Sequence, residues 1–169
     1  MKLRKLATGF VALAIVTAGV SGPAIAQQPV LAPAAKKYTT MVLNQGVPKI
    51  DVLNTKVGQD IESIVIFSAP LTTKAGKSAG NIAGFLTDLE IGATGAEIRF
   101  RNISFMLTAG QIIANGTGEY ESADREMPVE RPSTIAIIGG TGKYIGARVE
   151  VITRKNTDGT FRHIFRLLK

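Results

Sequence analysis

Two strand-like runs, Thr134–Ile138 and Lys143–Thr153, meet through Gly139-Gly140-Thr141-Gly142 in the stretch STIAIIGGTGKYIGARVEVITRK. This junction narrows the folds open to the chain more than any other feature. A glycine-rich loop between apolar runs either cradles a phosphate or turns a hairpin. A phosphate loop needs a helix after the glycines, whose free N–H groups and dipole hold the anion. The residues that follow, KYIGARVEVIT, are rich in β-branched and aromatic types, and Gly146 interrupts them. Such a run favours strand over helix. No Lys-Ser/Thr pair follows the glycines, as a phosphate loop requires. The hairpin is the consistent reading. Gly142 then takes positive φ in the turn, and Gly146 lets the next strand bend. Gly110, in TAGQ, falls in a looser turn.

The rest of the chain agrees with strands. Candidates are Tyr38–Leu43, Val47–Leu53, Ile61–Ser68, Asn81–Thr87, Glu97–Leu107 and Gln111–Tyr120 before the glycine hairpin, with Phe161–Leu168 after it. Turn chemistry separates them: TTKAGKSAG, IGATGA, and KNTDG with its Asp158-Gly159 pair. No window of a dozen residues keeps helical apolar spacing. The pattern predicts an all-β domain of sandwich or barrel type. In the last strand Phe161, His163, Phe165 and Leu167 share one face, and Arg162, Ile164, Arg166 and Leu168 the other. In Glu97–Leu107 the apolar phase changes from Ile98 and Phe100 to Ile103, Phe105 and Leu107. A β-bulge at Asn102 would make that switch.

The first residues read separately from this domain. Lys2, Arg4 and Lys5 precede an apolar run from Leu6 to Val20, and Ala24 and Ala26 stand at the small-residue positions of a cleavage site. This is the pattern of a signal peptide over residues 1–26, removed after Ala26. The apolar run is short for a membrane span, which needs ~20 residues, so no anchor is expected after cleavage. Residues 27–37 read as a flexible lead-in, and 38–169 as the barrel domain. The expected compartment is periplasmic or secreted. The formal charge is +7, and removing the three leader cations leaves +4. The cations are scattered, with no run longer than Lys36-Lys37 or Arg154-Lys155, which excludes a nucleic-acid stripe. The chain has no cysteine and one histidine, His163. Thiolate metal sites, a cysteine nucleophile and a multi-histidine metal centre are thereby excluded. Neither a metal nor an organic cofactor is expected.

The segment STIAIIGGTGKYIGARVEV resembles the Gly-Gly-Thr-Gly-x-aromatic-x-x-Ala-Arg segment of dirigent proteins, and is similar to the matching turn and strand of allene oxide cyclases. GQIIANGTGEY resembles their strand of the form Gly-x-Ile/Leu-x-x-x-Gly. SIVIFSAPLTTKAGKSAGNIAGFLTDL resembles their early strand, turn and Gly-x-x-x-Gly strand, and FRHIFRLL occupies the place of their closing strand. The resemblance covers Ile61 to Leu168. It implies an eight-stranded antiparallel β-barrel with an interior that takes a small hydrophobic or phenolic ligand. It also implies cofactor-independent, isomerase-like chemistry, in which the barrel holds a reactive molecule in one shape. A homodimer or homotrimer would be in keeping with it.

Arg148 matches the arginine of the dirigent-type motif. Facing inward, it would pair with a phenolate, enolate or carboxylate; facing outward, it would form a salt bridge with Glu150 or a neighbouring strand. His163 is either an acid or base in the cavity or a hydrogen-bonded core histidine. Asp51 is the nearest match to the acidic residue that family members carry on an early strand. Asn81, Asn102 and Tyr120 are candidates for a cavity wall, with a turn or pairing role as the alternative, and Phe165 is a candidate ligand contact. Two functions follow: an exported cyclase or dirigent-like catalyst, or a non-catalytic binding or structural protein of the envelope.

Overall fold

Alternating side chains on a strand can bury one face only against another layer or by closing the sheet on itself. This chain closes the sheet. The computed structural model describes residues 37–53, 64–91, 96–120 and 127–168. The strands are β1 (Tyr38–Gln45), β2 (Lys49–Leu53), β3 (Ile64–Thr73), β4 (Ser78–Ile91), β5 (Glu97–Leu107), β6 (Gly110–Tyr120), β7 (Ser133–Gly140), β8 (Val149–Lys155) and β9 (Phe161–Leu168). They pair antiparallel in the order β1-β9-β8-β7-β6-β5-β4-β3-β2, and a further β1–β3 pairing closes the circle. The result is an eight-stranded closed antiparallel β-barrel with β2 as an extra strand. The expected leader and lead-in at residues 1–36 lie outside the described residues.

The extra strand continues β1 after a bend. Gln45 pairs with Leu71, and Lys49 pairs with Ser68, so one residue of register slips across Gly46-Val47-Pro48. Pro48 has no N–H for a ladder, which favours a break there. Gly46 N–H donates to Pro70 O at 3.1 Å and holds the bend on β3. Beyond it, β2 extends the sheet on β3, at the end of the barrel that holds a cavity.

The other end is packed. Phe105 stands at its centre, wholly buried, with ring centroids 4.8 Å from Phe165 and 5.1 Å from His163, both edge-to-face. Such pairs add ~0.5–1.5 kcal/mol to burial. Leu43, Leu71, Ile82, Ile112, Ile137 and Val151 fill the space around them.

The glycine junction lies at this packed end. It is wider than a tight hairpin: β7 runs to Gly140, a single 3-10 turn covers Gly142–Tyr144, and β8 begins only at Val149. Gly142 has φ +58°, as the turn requires. A Cβ there would lie 2.4 Å from Ala109 O. Gly110 is no looser. Its φ is +137°, and a Cβ would lie 2.1 Å from Thr141 O. The two turns dock backbone against backbone, with Lys143 N–H donating to Ala109 O at 2.8 Å. Gly146 sits in the turn rather than within β8.

The bulge expected at Asn102 is absent. The β5–β6 register runs unbroken from Glu97 opposite Tyr120 to Leu107 opposite Gly110. The irregularity against β5 lies in β4, between Asp88 and Glu90. One face of β5 is therefore buried throughout, and it carries Glu97, Arg99, Arg101, Ile103 and Phe105. Ile98 and Phe100 take the half-exposed outer face.

Candidate functional site

The unbroken phase of β5 sends two arginines into the barrel. Arg99 and Arg101 are 1% and 2% exposed, more buried than most of the apolar core. Their surroundings differ. Arg99 is gripped by Asp88, 2.7 Å from its Nε, and by Glu97. Its guanidinium carbon also lies 4.7 Å from the centroid of the Tyr120 ring, a cation–π contact. Arg101 lies one pleat deeper. It donates to Thr117 O at 2.6 Å and to Ser133 Oγ at 2.8 Å.

Two glycines of β6 make room for this arrangement. A Cβ at Gly118 would lie 2.7 Å from Cζ of Arg101, and one at Gly116 would lie 2.7 Å from Ile135 Cγ2. Any side chain at 118 would displace the guanidinium. The Nε of Arg101 is buried and has no hydrogen-bond partner.

A cavity opens beside Arg101, at the end of the barrel that carries β2. Its apolar wall is Val65, Phe67, Ile82, Leu86, Ile103, Phe161 and Met127, and its polar groups are Gln45, Arg101, Tyr120, Thr153 and His163. The volume is ≈ 70 Å³, within ≈ 570 Å³ of atom-free space when the mouth is included. Ile50 and Pro48 stand at that mouth. Met127 belongs to a segment that Val129 fastens to Lys155 of β8 by a parallel bridge.

His163 closes the floor of the cavity. Its Nε2 donates to Gln45 Oε1 at 2.9 Å, and its Nδ1 accepts from Thr153 Oγ1 at 2.9 Å. A carbonyl oxygen can only accept, so this arrangement fixes the neutral tautomer with the proton on Nε2. Burial pushes the imidazole pKa down from 6.5 to about 3. The ring is thus a satisfied neutral group at ordinary pH. The Tyr120 phenol is pushed up by burial, an effect opposed by the charges of Arg101 and Arg99 and by a hydrogen bond to Arg101. Tyr120 therefore keeps its proton and can donate it in a hydrogen bond.

Of the residues singled out from the sequence, His163 and Tyr120 come together at this cavity. Phe165 belongs to the packed floor against Phe105. Arg148 does not face inward: it is exposed in the connection before β8, at the packed end. Strand alternation counted from Lys143 fails there because β8 starts six residues later. Nor is Arg148 the partner of Glu150, which pairs with Arg166 at 2.7 Å. Asp51 is exposed on β2, and its neighbour Ile50 is the one that lines the mouth. Asn102 lies on the outer face of β5, opposite Asn115, and Asn81 is exposed.

Arg99, Arg101, Asp88, Glu97 and Gln45 escaped the sequence reading. Among the described residues no three of His, Cys, Asp or Glu cluster as metal ligands.

No protein-family model matches the chain, and no curated protein matches it. Solved structures do. A pyocyanin demethylase is similar with a TM-score of 0.59 and 23% identity, over 76% of this chain and 99% of that one. An exo-specific intermolecular Diels–Alderase gives 0.60 and 14%, over 79% and 98%. A nonspecific heme-binding cyclase that catalyses [4 + 2] cycloaddition during neoabyssomicin biosynthesis gives 0.60 and 11%, over 80% and 68%. At these identities the shared property is the barrel.

Proposed function

We propose that the barrel admits a small, largely apolar molecule through the mouth of its cavity and holds it in one folded shape, as a cyclase- or isomerase-like catalyst. The observation that carries this reading is the cavity itself, an apolar chamber on which Arg101, Tyr120 and His163 converge. Ligand sites are of this kind: mostly apolar, with a few placed polar groups. Its volume of ≈ 70 Å³ fits one ring or a short chain, so the rest of a larger ligand would extend past Ile50 into the mouth. Similarity to barrels described as Diels–Alderases and a cyclase supports turnover of a confined substrate. Confinement of this type acts through proximity and orientation. In this reading the leader exports the protein, which meets its ligand outside the cytoplasm. One observation favours a second reading, a binding protein without turnover: the only imidazole is neutral, with both nitrogens occupied.

A thermal-shift panel of fatty-acid, polyketide-like and phenolic compounds tests the proposal. A true ligand raises the melting temperature because it binds only the folded state. Ile50→Trp, at a position 41% exposed, should block the mouth and abolish the shift without unfolding the barrel. A panel that leaves the melting temperature unmoved would count against the cavity as a ligand site. Product formation from a shifting compound separates catalyst from binder.

A further inference from the structure

We infer that the ligand of this cavity carries an anionic oxygen, a carboxylate or an enolate-type oxyanion, which the Arg101 guanidinium receives. The inference rests on the cavity being the ligand site, and adds the chemical class of what enters it.

Among the described residues the buried cations are Arg99, Arg101 and Lys155, and the buried carboxylates are Asp88 and Glu97. The carboxylates are unevenly shared. Asp88 and Glu97 both engage Arg99. Arg101 has a backbone carbonyl, a serine hydroxyl and the Tyr120 hydroxyl, all neutral, and among the described residues no carboxylate pairs with it. A guanidinium stays charged under any ordinary condition. Burying it beside neutral dipoles alone is unfavourable, and a negative partner would relieve that. The Nε that lacks a partner belongs to a side chain 2% exposed that lines the cavity.

The surroundings hold the guanidinium in place for such a partner. Thr117 O and Ser133 Oγ fix its NH2 group, and Gly118 leaves the volume that it occupies. Tyr120 beside it retains its hydroxyl proton and can supply a second donor. A charged group fixed before binding is what gives an anion site its strength, because little reorganises when the ligand arrives. The apolar wall beside it, Phe67, Ile82, Leu86 and Ile103, takes the hydrocarbon part.

Three probes of one shape test this: cinnamate, cinnamamide and β-methylstyrene, titrated calorimetrically into the full barrel at fixed salt. The wild type should bind cinnamate at least about tenfold more tightly than either neutral probe, the usual gain of a charge-assisted hydrogen bond. Arg101→Met should erase that preference and leave β-methylstyrene within about twofold of wild type, while Arg101→Lys should restore part of it. If Arg101→Met fails to fold, Gly118→Ala answers the same question, since its Cβ pushes the guanidinium off its seat and should cut the preference. Equal binding of all three probes to the wild type would overturn the oxyanion inference and leave the cavity reading standing. No binding of any probe would overturn both. A preference that survives both Arg101→Met and Gly118→Ala would place the anion elsewhere and overturn the assignment to Arg101.

Discussion

Lowering the pH should destabilise this barrel through His163 by an amount that can be worked out. His163 is neutral and buried, with a folded pKa near 3 against 6.5 in an exposed chain. Between those values the unfolded state binds a proton that the folded state refuses. Stability therefore rises with pH across the window and falls as the solution is acidified from about 6.5 towards 3. Relative to about pH 7.5, the loss works out at about 1.4 kcal/mol by pH 5.5 and about 2 kcal/mol by pH 5. Any folded pKa below about 4 gives nearly the same figures, since the folded imidazole then stays neutral throughout. The chain has no other histidine, so no second imidazole titrates in this interval. The assay is urea denaturation of the wild type and of His163→Gln at about pH 7.5, 5.5 and 5. Each protein is compared with its own value at the highest pH. Carboxylates titrate alike in both proteins and cancel, and the difference between the curves is the histidine's. Parallel pH profiles for the two proteins would refute the reasoning, as would an NMR titration placing the folded imidazole pKa near 6.

Further expectations concern charge, glycine and packing. Arg99→Met should destabilise by ~3–5 kcal/mol, because it strands Asp88 and Glu97 as buried carboxylates, and adding Asp88→Asn with Glu97→Gln should recover part of the loss in the same denaturation assay. Gly110→Ala should lower the melting temperature at least as much as Gly142→Ala, because its Cβ meets Thr141 O at 2.1 Å where the other meets Ala109 O at 2.4 Å. Phe105→Ala should cost ~3–5 kcal/mol by urea titration, as expected of a fully buried aromatic ring. Glu150→Gln should change stability by less than ~1 kcal/mol, because its bridge to Arg166 is half-exposed and screened.

The parts of this structure that were legible in the sequence are those where local chemistry and the fold agree. The period-two run FRHIFRLL puts Phe161, His163 and Phe165 on one face, and the barrel turns that face inward. Asp158-Gly159 turns β8 into β9, with Asp158 Oδ1 accepting from Thr160 N–H at 3.0 Å. Gly142 takes the positive φ expected of it. The site was legible only in its His163 and Tyr120 corner. Pattern reading sends arginines outward, so EIRFRNISF looked like a strand that changes face. The strand keeps its face and buries its charges, because Asp88 and Glu97 engage Arg99 and Gly118 on β6 leaves room for Arg101. That signal was present as two glycines spaced by two, at Gly116 and Gly118, ahead of Tyr120 on the same face. It becomes readable only once the register sets those glycines against the arginines. Arg148 misled for the converse reason. The sequence placed it within a strand from Lys143, facing either way, but the 3-10 segment delays β8 to Val149 and leaves the side chain in solvent.

The central claim is that the cavity of the barrel holds a ligand with its oxyanion on Arg101 and its apolar part in the chamber beside it. A crystal structure of the full barrel with cinnamate tests it most directly. The account predicts the carboxylate within hydrogen-bonding distance of the Arg101 guanidinium and the phenyl ring among Phe67, Ile82 and Ile103. Cinnamate bound outside the barrel, or a chamber closed by its own side chains, would contradict it.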